Sequence, residues 1–338
     1  MNALKRLRGA NNEGILLAVI IVLVIAMAMA SPAFFTPSTF FSLVRSSMVP
    51  LVFALGVLLV MVSGGIDVSF AAIAIFAAYS AIAWSSGSGI DPGLFGAFLI
   101  ALVIGALLGG LNGVVIARFR LPTLIVTLGT QGVFKGILLT YIGSRYISAG
   151  NLPPSVLAAG DAYLVNIPGA GYLHAMMVPV VLVTIGVWWM LKYTVFGRGI
   201  YAIGGDVEAA RRVGIKVVRT QVLLYMMVGA LAAFGGIIYV ILGKNANPQS
   251  LVGSELDIIA AVVLGGASIF GGRGSVLGTV LGVLLVQLIN NNLVLVGIPS
   301  TWQRAAVGIL LLAGVGIQAL ATVRASSRST AIHEETVA

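Results

Sequence analysis

The chain has 338 residues, 59% of them apolar and only 9% charged, with 19 Lys and Arg against 10 Asp and Glu for a formal net charge of +9. A soluble domain carries about a quarter charged residues, so the composition excludes a soluble enzyme, a nucleic-acid-binding module and a disordered chain. A spanning helix uses about 20 residues, and ten of them leave too little chain for a separate catalytic domain.

The expected fold is an all-α membrane protein with about ten transmembrane helices in one domain over 15–323, some of them broken or re-entrant. Residues 1–14, with Lys5, Arg6 and Arg8, read as a cytoplasmic N-terminus. The apolar run after them reads as an uncleaved first span rather than a signal peptide, because the rest of the chain is as hydrophobic. Spans are expected at 15–31, 44–63, 67–85, 93–116, 121–141, 174–192, 219–242, 256–271, 275–296 and 302–323. Pro50 interrupts the second, and the eighth is short and Gly-rich. Such backbone is tolerated only under protein or beside a watery cavity. With both termini in the cytoplasm, fourteen of the nineteen basic residues fall inside, as the Lys/Arg bias of short loops requires. Trp84, Trp188, Trp189 and Trp302 lie near span ends, where indoles anchor at the interface; sugar stacking is their alternative role.

Three segments lie outside the spans. Residues 142–173, with Pro153, Pro154 and Pro168, form an outer loop of extended or turn-rich structure. Residues 193–218 form the longest inner loop, and the Ser/Thr-rich tail 324–338 is expected to be disordered. Within the inner loop Asp206 is placed as an N-cap, Glu208 sits in a first turn, Arg211 and Arg212 in a last turn, and Gly214 at C′. These agree on a helix over about 207–213, roughly 10 Å long. Glu208 and Arg212 are spaced for an i,i+4 pair. The small residues Ala209 and Ala210 suit a knob entering a partner's groove; a stub lying on lipid is the alternative.

Polar residues inside spans are costly against lipid and mark either a solute path or bonds between helices. One set is Asn112, Thr123, Thr127, Thr130 and Gln131, of which the last four share largely one helical face. The other is Gln287, Asn290, Asn291 and Asn292. Asp67 follows a Gly-Gly turn and can cap the next span. Glu255 and Asp257 suit a helix N-terminus, while Glu255, Arg145 and Lys244 could instead meet a partner outside. Asn112 before Leu121-Pro122-Thr123 and Asn290 before Ile298-Pro299-Ser300 have similar spacing, which hints at two related halves. Cys is absent, and the sequence holds no metal-ligand cluster, no Ser/His/Asp arrangement and no phosphate loop; Gly204-Gly205 lacks the Lys-Ser/Thr ending of one. His174 and His333 are isolated. No catalytic, cofactor-binding or metal residue is therefore expected.

Four motifs carry a family resemblance. The run 197–215 (GRGIYAIGGDVEAARRVGI) resembles the coupling segment of ribose-type sugar permeases of ABC importers. Gly64-Gly65-Ile66-Asp67-Val68-Ser69 is similar to the family's Gly-Gly-Ile-Asp-Leu-Ser, and 121–130 (LPTLIVTLGT) to its Pro-x-Phe/Ile-Ile-x-Thr-Leu-Gly-Thr. Residues 253–266 and 271–275 match its Gly-x-Glu-Leu-x-x-Ile-Ala-Ala-Val-x-Leu-Gly-Gly block. The pattern departs at Phe70-Ala71, where the family has Val-Gly, so helix packing at that turn is expected to differ.

The resemblance implies a bacterial inner-membrane permease subunit without its own catalytic site. It implies a second permease chain, identical or a sister, and separate ATPase subunits that bind ATP and Mg. It also implies a periplasmic sugar-binding protein outside, surrounding lipid, and no nucleic acid. The cargo it implies is a pentose, hexose or related molecule. Asp206, Glu208, Ala209, Ala210, Arg211 and Gly214 would then contact the ATPase, and the two polar sets would supply the path. A branched-chain amino acid permease keeps the same role with another cargo. An ion-coupled secondary transporter would place acidic groups mid-membrane, whereas those here are expected at ends and in loops, apart from the marginal Asp67 and Asp257. A membrane-embedded enzyme lacks a convergent catalytic set.

Overall fold

A computed structural model describes residues 13–169, 171–292, 299, 302, 303, 305, 308, 309 and 312. Four sequence expectations lie wholly or mainly outside these residues: the basic N-terminus, most of the span 302–323, the second half of the proposed repeat, and the tail.

The described chain is a helical bundle. In order, its long elements are α1 (Glu13–Ala30), α2 (Pro37–Val62), α3 (Phe70–Ser88), α4 (Gly93–Phe119) and α5 (Thr123–Ile137), the last continued by a π-turn over Leu138–Ile142. After α6 (Pro154–Ala159) and the hairpin β1 (Tyr163–Ile167) and β2 (Gly171–His174) come α7 (Met177–Tyr193), α8 (Val195–Gly205) and α9 (Val207–Arg212). The last helices are α10 (Val217–Gly243), α11 (Glu255–Leu264) and α12 (Val276–Asn292). Among the described residues five helices are long and apolar enough to cross a membrane: α2, α3, α4, α5 with its π-turn, and α10. A sixth crossing results if α7 and α8, which meet at 71°, count as one.

Side-chain size, not polarity, decides which way these helices face. On α4, Phe95, Leu99, Val103, Leu107 and Leu111 are exposed and follow the i,i+4 spacing of one face. The opposite face carries Gly105, Gly109 and Gly113 and lies on α10. A Cβ at Gly105 would stand 2.3 Å from the Gly229 carbonyl oxygen, and one at Gly109 2.1 Å from that of Tyr225. In lipid, where burying apolar surface gains nothing over the hydrocarbon, helices associate through such close backbone approach. α12 meets α11 in the same way, with Gly278 against Gly265 and Gly282 against Ala261. Gly109→Val should therefore separate α4 from α10 at a cost of about 1–3 kcal/mol or more. Size-exclusion profiles in detergent check this; a normal monodisperse peak and melting temperature contradict it.

The structure adjusts several expectations. Pro50 does not break α2, which runs as one 26-residue helix from a Thr36 N-cap and Pro37 at its first position. Proline removes the helical bond at its own nitrogen and crowds the carbonyl four residues back, yet the helix continues on both sides of it. The eighth span is a half-length helix: α11 has 10 residues, about 15 Å, and the chain leaves it at Gly265 for a glycine-rich connection. The loop after α7 begins with an unexpected helix, α8, of modest intrinsic propensity. Gly197 allows its sharp start, since a Cβ there would lie 2.4 Å from the Met190 carbonyl oxygen. The outer loop contains the hairpin and α6 as well as turns. At the motif departure, Phe70 is buried against Phe53, their ring centroids 5.4 Å apart, and Gly235 leaves the space Phe53 needs. All four Trp are substantially exposed.

Candidate functional site

The chain offers a capped protrusion at one end of the bundle and a cavity toward the other. The protrusion is α9. Asp206 Oδ1 accepts from the amides of Glu208 (2.8 Å) and Ala209 (2.9 Å), closing the N-terminus. At the C-terminus Gly214 takes φ +87°; its amide bonds to Arg211 O and that of Ile215 to Ala210 O. This pair of bonds around a left-handed glycine is a Schellman motif, so both ends of a six-residue helix are satisfied. Glu208 pairs with Arg211 at 2.7 Å, an i,i+3 contact, rather than with Arg212 as the spacing suggested. Both partners are exposed, so the pair contributes little.

Ala210 differs from its expected place. It is 2% exposed and packs on Ile203 and Val217, so it is the foot of the stub and not part of its outer face. Asp206, Glu208, Ala209, Arg211 and Gly214 are exposed. Val213, which the sequence argument passed over, is 77% exposed beside them. An apolar residue just before a C′ glycine was the available signal.

The first polar set is drawn together around the loop 64–69. Gly64 (φ +85°) ends α2. The loop's amides then find side chains: Ile66 N donates to Thr123 Oγ1 at 2.9 Å and Val68 N to Thr127 Oγ1 at 3.3 Å. Asp67 lies just ahead of α3 and, as its position suggested, takes the amides at the start of that helix, of Ser69 at i+2 and Phe70 at i+3. Its Oδ1 accepts from Ser69 N and Ser69 Oγ, and Ser69 in turn accepts from Asn112 Nδ2 at 2.8 Å. Asp67, Ser69, Asn112 and Thr127 are all buried. Thr130 bonds back to the Thr127 carbonyl, and Gln131 Nε2 donates to Glu255 Oε1 at 2.7 Å. Glu255 is 8% exposed and also accepts from Gly253 N, so it faces the bundle and not an outside partner.

Gln131 is eight residues into α5, about 12 Å along its axis. Its bond to Glu255 therefore places the start of α11 part-way through the bundle. At that level lies a cavity of about 590 Å³, lined from α2 by Ser42, Arg45, Ser46, Pro50 and Phe53, and from α10 by Tyr239. Ser254 and Asp257 at the start of α11 join it, as do Gln287 and Asn290 of α12. Pro50 leaves the carbonyl of Ser46 without its helical donor. Asn291 donates to Ser46 Oγ, Asn292 is buried and bonds to the Leu288 carbonyl, and Arg45 donates to Leu242 O at 2.6 Å with its guanidinium over the Tyr172 ring. Two residues of the second polar set thus reach the cavity and none of the first does. Such a wall, aromatic faces with a few hydrogen-bonding groups, suits a small polar organic solute.

The hairpin end is tied by polar contacts. Lys244 Nζ donates to Asp161 Oδ1, which holds the Asp161 carboxyl below the usual carboxylate range and raises Lys244. Lys244 is thus engaged within the chain. Arg145 accepts through its carbonyl from Tyr79 OH. The Ser155 hydroxyl and amide both donate to the Asp91 carboxylate, which holds that carboxyl below the usual range. Among the described residues no group of three or more His, Cys, Asp or Glu could hold a metal.

Residues 38–315 match the family described as branched-chain amino acid transport system / permease component. The chain is 35% identical over 299 residues to the ribose import permease protein RbsC of Haemophilus influenzae, covering 88% of this chain and 90% of that one. It is 38% identical over 297 residues to the RbsC of Bacillus subtilis, covering 87% and 88%. It is also 31% identical over 302 residues to the autoinducer 2 import system permease protein LsrC of Yersinia pseudotuberculosis, covering 89% and 83%. No solved structure matches.

Proposed function

This chain belongs to the family of transport-system permease components, and from that premise we propose that it is the inner-membrane permease subunit of an ABC importer for a sugar or sugar-like molecule. A separate ATPase drives it and a periplasmic binding protein delivers the cargo. A second permease chain completes the core, and the ten crossings with both termini inside follow the basic-residue bias.

The observation that supports the path is the cavity at the start of α11. A helix that begins inside the bundle turns its positive dipole end toward that space. With Gln287, Asn290, Ser254 and Ser46 around it, the space offers both donors and acceptors to sugar hydroxyls, and Phe53 and Tyr239 offer apolar faces. In this reading α9 is the ATPase contact and the hairpin end faces the periplasm. The chemistry of ATP hydrolysis stays with the partner.

The family description names branched-chain amino acids, and Arg45 with Asp257 would suit a zwitterion. Sugars remain the better fit because the relatives named above import ribose and autoinducer 2. The test is reconstitution into vesicles with an ABC ATPase and a periplasmic sugar-binding protein from the same cell. Labelled ribose, other pentoses and hexoses, and leucine are offered in parallel. ATP-dependent accumulation of a sugar is expected; uptake of leucine alone, or accumulation without nucleotide, overturns the proposal.

A further inference from the structure

Three chain segments distant in sequence meet backbone to backbone at the α9 end of the bundle. One is the end of α2, the second the end of α8, and the third the connection 265–275 between α11 and α12. Gly204, two residues before the Asp206 cap, is the meeting point. A Cβ there would lie 1.8 Å from the Val62 carbonyl oxygen and 2.8 Å from the Gly272 nitrogen. Gly272 N donates to that same Val62 oxygen at 2.9 Å. At Gly271 (φ +90°) a Cβ would stand 2.5 Å from the Gly204 oxygen and 2.8 Å from Gly64 Cα. One turn earlier on α8, Tyr201 OH donates to Gly274 O at 2.7 Å.

Asp206 is at once the C-cap of α8 and the N-cap of α9, so no free linker separates the stub from Gly204. The segments gripped there are the ends of three of the four helices that line the cavity: α2, α11 and α12. Packed backbones without intervening side chains transmit displacement and do not absorb it by rotamer change.

We infer that Gly204 is the positioning residue through which movement of α9 reaches the cavity helices. This rests on the proposed ABC-importer role, with α9 as the ATPase contact. A displaced α9 drives α8 against Val62 and Gly271–Gly274 together, and the outer parts of α2, α11 and α12 change their spacing. Gly204 touches neither solute nor ATPase in this scheme, and its lack of a side chain is the requirement.

The experiment uses the full permease reconstituted with its ATPase and binding protein. Gly204→Ala puts a methyl group against two backbones that must give way, so the junction is expected to open, and in the protein that assembles uptake and the stimulation of hydrolysis by loaded binding protein fall at least tenfold relative to its own basal hydrolysis. Gly205→Ala is the neighbouring control, since its Cβ meets nothing within 4 Å, and is expected to transport normally. Tyr201→Phe keeps the fold and removes one bond of the junction, so ATP consumed per solute carried is expected to rise at least twofold. Wild-type uptake in Gly204→Ala, or equal loss in Gly205→Ala, overturns the inference. Should Gly204→Ala fail to assemble, unchanged stoichiometry in Tyr201→Phe overturns it. Failure of the wild-type chain to bind an ATPase would instead sink the functional proposal itself.

Discussion

Ala209→Trp is expected to abolish co-purification of the ATPase and to reduce uptake at least 100-fold, while the amount of folded permease is unchanged. Ala209 is exposed on α9, so the indole enters solvent and displaces nothing in the chain. The Asp206 cap and the Gly214 closure do not involve its side chain, and the propensity cost of Trp in a helix is under about 0.7 kcal/mol. In the proposed ATPase contact the ring cannot enter a groove that holds a methyl group without separating the surfaces, since interface centres are packed as densely as interiors. Glu208→Ala serves as the graded companion. Its exposed pair with Arg211 is worth at most about 1 kcal/mol, so a loss of about fivefold or less is expected. Pull-down and size-exclusion of the complex measure both. Normal ATPase recovery with Ala209→Trp would remove α9 from the interface.

The second large effect is expected in the cavity. Gln287→Leu and Asn290→Leu keep side-chain volume and remove hydrogen bonding. On the proposed sugar path each substitution leaves a hydroxyl unpaired, at about 1–2 kcal/mol, or roughly tenfold in apparent affinity. The double variant is expected to lose about 100-fold in the uptake KM, with assembly and basal ATP hydrolysis intact. Asn112→Leu should behave differently. Asn112 is fully buried and supports Ser69 and the loop 64–69, so its loss should lower the yield of folded protein and leave the KM of the surviving fraction unchanged. Wild-type KM in the double variant would place the path elsewhere; a raised KM in Asn112→Leu would bring the first polar set back into it.

The membrane location, most helix positions and the capped stub were legible from residues 13–292 as sequence. Each rests on a local rule: hydropathy over about 20 residues, or a cap residue at a fixed offset from a glycine. Asp206 and Gly214 act as their spacing dictates because cap geometry involves only neighbouring amides. Two polar sets of similar composition could not be told apart in this way. Thr123 and Thr127 complete a loop more than fifty residues away, Gln131 holds Glu255, and Gln287 and Asn290 face open space. Only the tertiary structure decides this, because a hydroxyl or amide satisfies a backbone group and a solute equally well. The same holds for the uniformly apolar helices. Their inward faces are chosen by how closely two backbones approach, as at Gly109 and Gly204, and that distance is a property of pairs of segments far apart in the chain.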